Sequence, residues 1–309
     1  MTAWLVTGGA GFIGSHLCEG LLARGDIVRV LDDLSTGRRE NLPPGVDLIV
    51  GNVADQAAVH NAVEGVSGCF HLAAIASVER GVTDWLGTHR ANLTGTITLF
   101  DTIRRLPTRI PVVYASSAAV YGDAATVPIS EGMACRPLSA YGADKYGCEL
   151  HARVASHVHG IPTVGLRFFN VYGPRQDPRS PYSGVISIFC EHISRGAPID
   201  IFGDGEQTRD FIFVADVVAA MLAAMRVQPA EAPVLNVCTG IPISVLDLAR
   251  AIAKLVDTRL ATNHKPPRAG DLRHSTGSPA LARATLSLRE PTTLRSGLAK
   301  VLDWLGGCH

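Results

Sequence analysis

Neither charge is in excess in this 309-residue chain: 28 lysines and arginines stand against 28 aspartates and glutamates. Nucleic acid and anionic membrane surfaces are therefore not favoured as partners, although a few local arginines can still hold a small anion. The seven cysteines, at 18, 69, 135, 148, 190, 238 and 308, form no C-x-x-C pair. They read as small buried hydrophobes in a reducing compartment. The eleven histidines include His157 and His159 but offer no second cluster, so no metal site is expected. No apolar run approaches the roughly 20 residues of a membrane helix. The first strand is expected about two residues after Met1, which leaves no room for a signal peptide. Repeats and low-complexity segments are missing too. A soluble, cytoplasmic protein is expected.

What is present is an apolar alternation. With 47% hydrophobic residues the chain can bury one large core or two modest ones. Short Val/Ile/Leu-rich runs at 4–7, 27–31, 48–50, 68–72, 112–116 and 163–168 read as strands. Between them 13–24, 56–64, 88–105 and 140–159 read as helices. Buried strands alternating with crossover helices predict an α/β fold, a doubly wound parallel sheet of the Rossmann type. After Phe169 the alternation breaks down into a loop-rich passage marked by Gly173-Pro174, Asp177-Pro178 and Ser180-Pro181. A helix over 184–195 and strands over 199–202 and 210–213 follow. Ser278 with Pro279 behind it predicts the N-cap and first turn of a last helix through about Leu286. Residues 1–169, with parts of 214–240, are assigned to the sheet domain, and 170–309 mainly to a smaller α/β domain over its edge.

Two motifs carry chemistry. Gly8, Gly11 and Gly14 form G-x-x-G-x-x-G between a strand and a helix, where glycines let the backbone approach a pyrophosphate at the helix's N-terminal amides. Asp32 follows Gly14 by 18 positions, near the spacing of roughly 20 at which a carboxylate accepts from ribose hydroxyls. A carboxylate there repels a 2′-phosphate and argues for NAD over NADP. Arg38 and Arg39 read as part of a solvated loop. Asn52 is placed to read the adenine edge, with a turn-forming role as the open alternative. The second motif is Tyr141 and Lys145, one helical turn apart on one face. A phenol near pKa 10 is a poor base at neutral pH until an adjacent ammonium and a nicotinamide cation favour its phenolate. A hydroxyl at a strand end should complete the set; Ser117 is chosen over Ser116, which is expected nearer the cofactor.

The chain resembles an extended short-chain dehydrogenase/reductase, specifically a nucleotide-sugar epimerase of the UDP-galactose 4-epimerase type. The motifs that carry the resemblance are the glycine loop, His71-Leu72-Ala73-Ala74, Ser116-Ser117-Ala118-Ala119-Val120-Tyr121-Gly122, Tyr-x-x-x-Lys and Arg167-Phe168-Phe169-Asn170-Val171-Tyr172-Gly173-Pro174. Gly203-Asp204-Gly205, Arg209-Asp210-Phe211 and Pro267-Arg268-Ala269-Gly270-Asp271 complete them. The resemblance implies that Tyr141 takes the proton of the sugar's 4-hydroxyl while NAD takes the hydride. The 4-keto sugar then turns about its diphosphate and the hydride returns to the other face. It places NAD against Gly8, Gly11, Phe12, Ile13, Gly14, Asp32, Asp33, Asn52, Val53, Leu72, Ala73, Ala74, Tyr141, Lys145 and Phe169. It places the UDP-sugar against Ser117, Asn170, Val185, Ile186, Ile201, Phe202, Arg209, Arg268, Asp271 and Ser275.

Related dehydratases carry Asp-Glu after the catalytic hydroxyl and related decarboxylases a Glu; Ala118 and Ala119 transfer no proton, which favours epimerisation. Ser275 stands where plain-hexose epimerases resemble one another in carrying tyrosine, so room is expected for an N-acetyl group at carbon 2. Asn52 and Ser278 each stand where relatives more often have Asp. UDP-N-acetylglucosamine/UDP-N-acetylgalactosamine are the first expected substrates, with UDP-glucose/UDP-galactose also turned over. The alternatives are a plain-hexose epimerase, a UDP-glucuronate 4-epimerase using Arg80, Arg179 or Arg273 as the added cation, and a nucleotide-binding protein without catalysis. Helices 88–105 and 140–159 are expected to build a homodimer as the family does.

Overall fold

The computed structural model describes residues 1–177, 184–227, 231–268 and 272–307. Six strands alternate with helices at first: β1 (Ala3–Thr7), β2 (Ile27–Asp32), β3 (Asp47–Val50), β4 (Gly68–His71), β5 (Val112–Ser117) and β6 (Thr163–Phe168). Short strands β7 (Asn170–Tyr172), β8 (Ile199–Phe202) and β9 (Thr208–Phe213) follow, then β10 (Val234–Val237). Seven of these form one parallel sheet in the order β10-β6-β5-β4-β1-β2-β3. The order reverses between β1 and β4, and in open α/β sheets a ligand crevice opens at the carboxyl ends of the strands at that point.

Every residue of β4 and of β6 is buried, so helices must cover both faces. Consecutive strand residues point to opposite faces, and Leu5/Val6, Val30/Leu31 and Val112/Val113 split between two clusters accordingly. On one face α1 (Phe12–Leu22) supplies Leu17 and Leu21. On the other α2 (Gln56–Val63) supplies Val59 and Ala62. Two short helices, α3 (Val78–Thr83) and α4 (Trp85–His89), precede α5 (Gly95–Ile103), which adds Leu99 and Ile103 to that second face. Ala152 and Ala155 join them from α6 (Ala140–His159). Ser139 starts α6 by accepting from the Gly142 amide at 3.0 Å, and Gly160 ends it in the left-handed conformation at φ 65°.

The second half holds α7 (Val185–Ser194), α8 (Val214–Ala224), β11 (Pro242–Ser244), α9 (Val245–Leu255), β12 (Thr262–Lys265), β13 (His274–Ser275), α10 (Ala280–Leu286) and α11 (Leu294–Gly307). Strands β11, β9 and β13 with β7 make a second sheet, and β12 pairs β8. Helices α7, α9 and α11 bury Phe189, Leu248, Ile252 and Leu298 in a core of their own. Helix α8 returns to the large sheet, where Val217 and Met221 pack beside Leu17.

Two local expectations are corrected. The helix foreseen over 88–105 starts at Trp85 and is interrupted by a π-helical turn at Arg90–Thr94. The wider turn aims Asn92 inward, where its side-chain oxygen accepts from the Ile75 amide at 2.7 Å. Ser278 is not an N-cap: α10 begins at Ala280 behind Pro279, without a side-chain cap, and the Ser278 amide donates to the Ile129 carbonyl at 2.8 Å.

Candidate active site and cofactor cradle

The turn after β1 is closed by backbone proximity. Gly8 has φ +70°, and a Cβ there would lie 2.7 Å from the Ala73 nitrogen; one on Gly14 would lie 2.2 Å from the Gly8 oxygen. Only hydrogen fits at both positions, which brings β1, the start of α1 and the segment after β4 into contact. Helix α1 has no side-chain cap and no acidic residue in its first turn, so its amide end keeps the partial positive charge that suits an anion. Phe12 and Ile13 lie half-buried at that end.

Asp32 ends β2 with 7% exposure. Its two oxygens accept from the Ala10 and Leu34 amides at 2.9 Å each, so it fixes the glycine loop to the sheet. Burial pushes its carboxyl above the ordinary range while those amides oppose the rise. Exposed Asp33 accepts from the Ser35 amide at 3.0 Å and from the Asn52 amide group at 3.0 Å. Asn52 also accepts from the Ala54 nitrogen at 2.8 Å, a turn-forming contact. Arg38 is ion-paired to Asp177 across the site. Val53 is buried under Gly95.

Leu72, Ala73 and Ala74 leave β4 half-buried, and the Leu72 and Ala73 amides each donate to the Thr7 hydroxyl at 3.2 Å. Thr7 in turn pairs with His71 Nδ1 at 2.8 Å, and His71 Nε2 pairs with the Thr96 hydroxyl at 2.9 Å. Burial first, and the Lys145 charge second, push the His71 imidazole down to about 3, so it is neutral.

Beside these loops stand the candidate catalytic groups. Lys145, 4% exposed, donates from Nζ to the Ala115 carbonyl at 2.9 Å and sits 5.9 Å from the Tyr141 ring centroid. Tyr141 and Ser117 keep part of their surface open, and Ser117 Oγ ends β5 by accepting from the Ala119 amide at 3.1 Å. Ser116 points the other way: its hydroxyl donates to Glu149, in the interior, which corrects its expected place near the cofactor. Phe169 is buried and Asn170 exposed at the start of β7.

At the other end a cleft of about 380 Å³ is lined by Phe202, Gln207, Arg268 and Arg273 among others. The Arg268 guanidinium lies 3.9 Å from the Phe202 ring centroid. Arg209 donates to the Thr208 carbonyl at 2.7 Å. Ser275, 8% exposed, lies opposite Arg209 in the β13–β9 register. Ile186 and Ile201 are corrected: at 1% and 0% exposure both belong to the second core, leaving Val185 and Phe202 as the half-buried members of that group. Asp271 and Arg179 lie outside the described residues.

Four buried residues received no role from the sequence. Asp210, fully buried, accepts from Thr239 Oγ1 at 2.7 Å and from the amides of Thr239, Gly240 and Gly277. His71 and the pair Glu149–Arg167 are the others. Glu149 had a readable signal, since it falls one turn beyond Lys145 on the same helix face.

The model of the NAD dependent epimerase/dehydratase family matches residues 4–238. The chain belongs to that family. A UDP-glucose 4-epimerase of Mycolicibacterium smegmatis is 38% identical over 97% of each chain. A UDP-glucose 4-epimerase of Thermotoga maritima, solved with UDP-glucose, superposes with a TM-score of 0.95 at 33% identity over 99% of each chain. A UDP-N-acetylglucosamine 4-epimerase of Methanobrevibacter ruminantium M1, solved with UDP-N-acetylmuramic acid, superposes at 0.94 with 32% identity over 100% of this chain and 99% of that one.

The cradle fits the cofactor in the family's name. Uncapped amides of α1 suit a pyrophosphate, and Asp32 ends β2 where a ribose is read. Paired to Asp177, Arg38 is engaged away from a 2′-phosphate. NAD is the cofactor of this epimerase/dehydratase family member.

Proposed function

We propose that this protein is a UDP-sugar 4-epimerase, with UDP-N-acetylglucosamine and UDP-N-acetylgalactosamine as its preferred pair and UDP-glucose and UDP-galactose as further substrates. The observation that carries the reading is Lys145, clamped to the Ala115 carbonyl beside Tyr141, with Ser117 closing the same strand. In this reading Tyr141 takes the 4-hydroxyl proton and gives it back, Lys145 favours its phenolate, and Ser117 aligns hydroxyl and base. NAD held in the glycine cradle would supply the hydride acceptor and donor for carbon 4 of the sugar. Arg209 and Arg268 hold the diphosphate while the sugar turns, a task suited to guanidinium forks. Ala118 and Ala119 add no proton donor behind Ser117, so no elimination competes.

Substrate breadth is read from Ser275. A small side chain opposite Arg209, the proposed diphosphate ligand, leaves volume beside the sugar's carbon 2. The relatives named as UDP-glucose and UDP-N-acetylglucosamine 4-epimerases support both halves of the proposed range. Of the cations named for an acidic sugar, Arg273 is paired with Asp204 at 2.7 Å. A deuterium label at carbon 4 tests the mechanism. It should stay at carbon 4 of both epimers during turnover in ordinary water, and loss to solvent would overturn the reading.

We infer in addition that two copies associate through α5 and α6. Leu150, Val154 and Val158 recur every four residues along α6 at 49%, 49% and 63% exposure. Ile97 on the adjoining α5 is exposed beside them, and such a stripe on paired helices suits a second copy of itself.

A further inference from the structure

We propose that Glu149 and Arg167 form a positioning unit that fixes the helix of Tyr141 and Lys145 against the strand of Ser117, with Ser116 as the link between them. The inference rests on the reading of Tyr141 as the base.

The geometry converges on one buried ion pair. Arg167 Nε donates to Glu149 Oε1 at 2.8 Å and an Arg167 terminal nitrogen to Oε2 at 2.7 Å, with side-chain exposures of 7% and 5%. A bidentate fork fixes direction as well as distance. Ser116 donates to the same carboxylate. The other terminal nitrogen of Arg167 donates to the Tyr121 hydroxyl at 2.7 Å, and Tyr121 donates to the Asn236 side-chain oxygen at 2.7 Å. Asn236 closes onto the Ile129 carbonyl at 2.9 Å.

Each member borders a working residue. Ser116 precedes Ser117, and Glu149 lies one turn beyond Lys145 and two beyond Tyr141 on α6. Arg167 stands two residues before Phe169 and three before Asn170. Burying two charges is costly, and apolar side chains at such positions are often no less stabilising. What the fork adds is register between α6 and the end of β5.

The pair also sets charge. Removing the carboxylate, whose backbone lies about 12 Å along α6 from Tyr141 at 1.5 Å of rise per residue, leaves the Arg167 guanidinium without its countercharge. The groups facing the pair are Cys148 from α6, Tyr114 from β5, Tyr121 from the turn after it, and Glu131 and Cys135 from the segment before α6. An uncompensated guanidinium favours the Tyr141 phenolate while the loosened helix slows the reaction.

The test compares the holoenzyme with Glu149→Gln and Ser116→Ala by turnover and by ultraviolet titration of Tyr141, read as the phenolate absorbance that Tyr141→Phe removes. For Glu149→Gln the phenolate should form at lower pH, by several tenths of a unit to about one unit, while kcat falls about tenfold or more and KM changes less than twofold. Ser116→Ala should lower kcat alone by a smaller factor, and by nothing further when added to Glu149→Gln. A folded Glu149→Gln with unchanged titration and kcat would overturn the proposal, as would a loss of thermal stability with no kinetic change. If Glu149→Gln does not fold, Ser116→Ala decides by the same kcat-against-KM split. Should the wild type turn over no UDP-sugar, the functional reading fails first, and the titration still reports on the pair.

Discussion

Lys145 Nζ donates to the Ala115 carbonyl at 2.9 Å, so the helix carrying Tyr141 is tied to the strand two residues before Ser117. Lys145 is 4% exposed, and its ammonium lies 5.9 Å from the Tyr141 ring centroid, confined enough to hold its place.

Tyr141→Phe removes the proposed proton carrier and leaves the glycine cradle untouched. Turnover should fall by at least about 100-fold, the lower end for loss of a general base, while NAD remains bound by the absorbance of the denatured extract. Unchanged turnover would remove Tyr141 from its role.

Ser275→Tyr fills the volume opposite Arg209. The variant should lose about tenfold or more in kcat/KM on UDP-N-acetylglucosamine, and much less on UDP-glucose, in keeping with the limited discrimination that packing alone supplies. Equal losses on both sugars would show that Ser275 does not set the range.

Stability should depend on pH through His71. Burial pushes its folded pKa down to about 3 from the ordinary 6.5, so below 6.5 the unfolded chain binds a proton that the folded chain refuses. The contribution is fully present above pH 6.5 and is lost as pH falls toward 3, with a slope of at most about 1.4 kcal/mol per unit from this one group. His16 is also lowered, mainly by burial, and acts in the same direction. Denaturant midpoints from pH 7 to 4.5 should fall more steeply for the wild type than for His71→Gln; parallel lines would count against the buried neutral imidazole.

Val154→Glu sets a charge in the middle of the apolar stripe on α6. Light scattering should give twice the chain mass for the wild type and the single mass for the variant. A monomeric wild type would remove the proposed dimer.

Much of this is legible in the sequence. The strands over 112–117 and 163–168 were foreseen to within one residue, because buried parallel strands are short apolar runs with glycine or proline nearby. The glycine loop and the Tyr141–Lys145 turn were read from spacing, and their positions in the fold agree with that spacing. Helix α8 was missed since Val-Ala-Asp-Val-Val-Ala-Ala-Met-Leu-Ala-Ala is apolar on nearly every side and shows little helical contrast. Helix α9 did carry a signal, with Val245, Leu248, Ala249, Ile252 and Ala253 buried at helical spacing. Ile186 and Ile201 were assigned to the cleft because an apolar residue reads the same in a wall and in a core. The Glu149–Arg167 fork joins positions 18 residues apart, and nothing in local periodicity announces a contact between a helix and the following strand.

The most direct test of the account is turnover of UDP-N-acetylglucosamine and UDP-glucose by the purified protein with no NAD added, resolving the 4-epimers. Conversion of both, faster for the acetylated sugar, is the predicted result and would fit retained NAD and an open volume at Ser275. No conversion of either sugar by protein that carries its cofactor would contradict it.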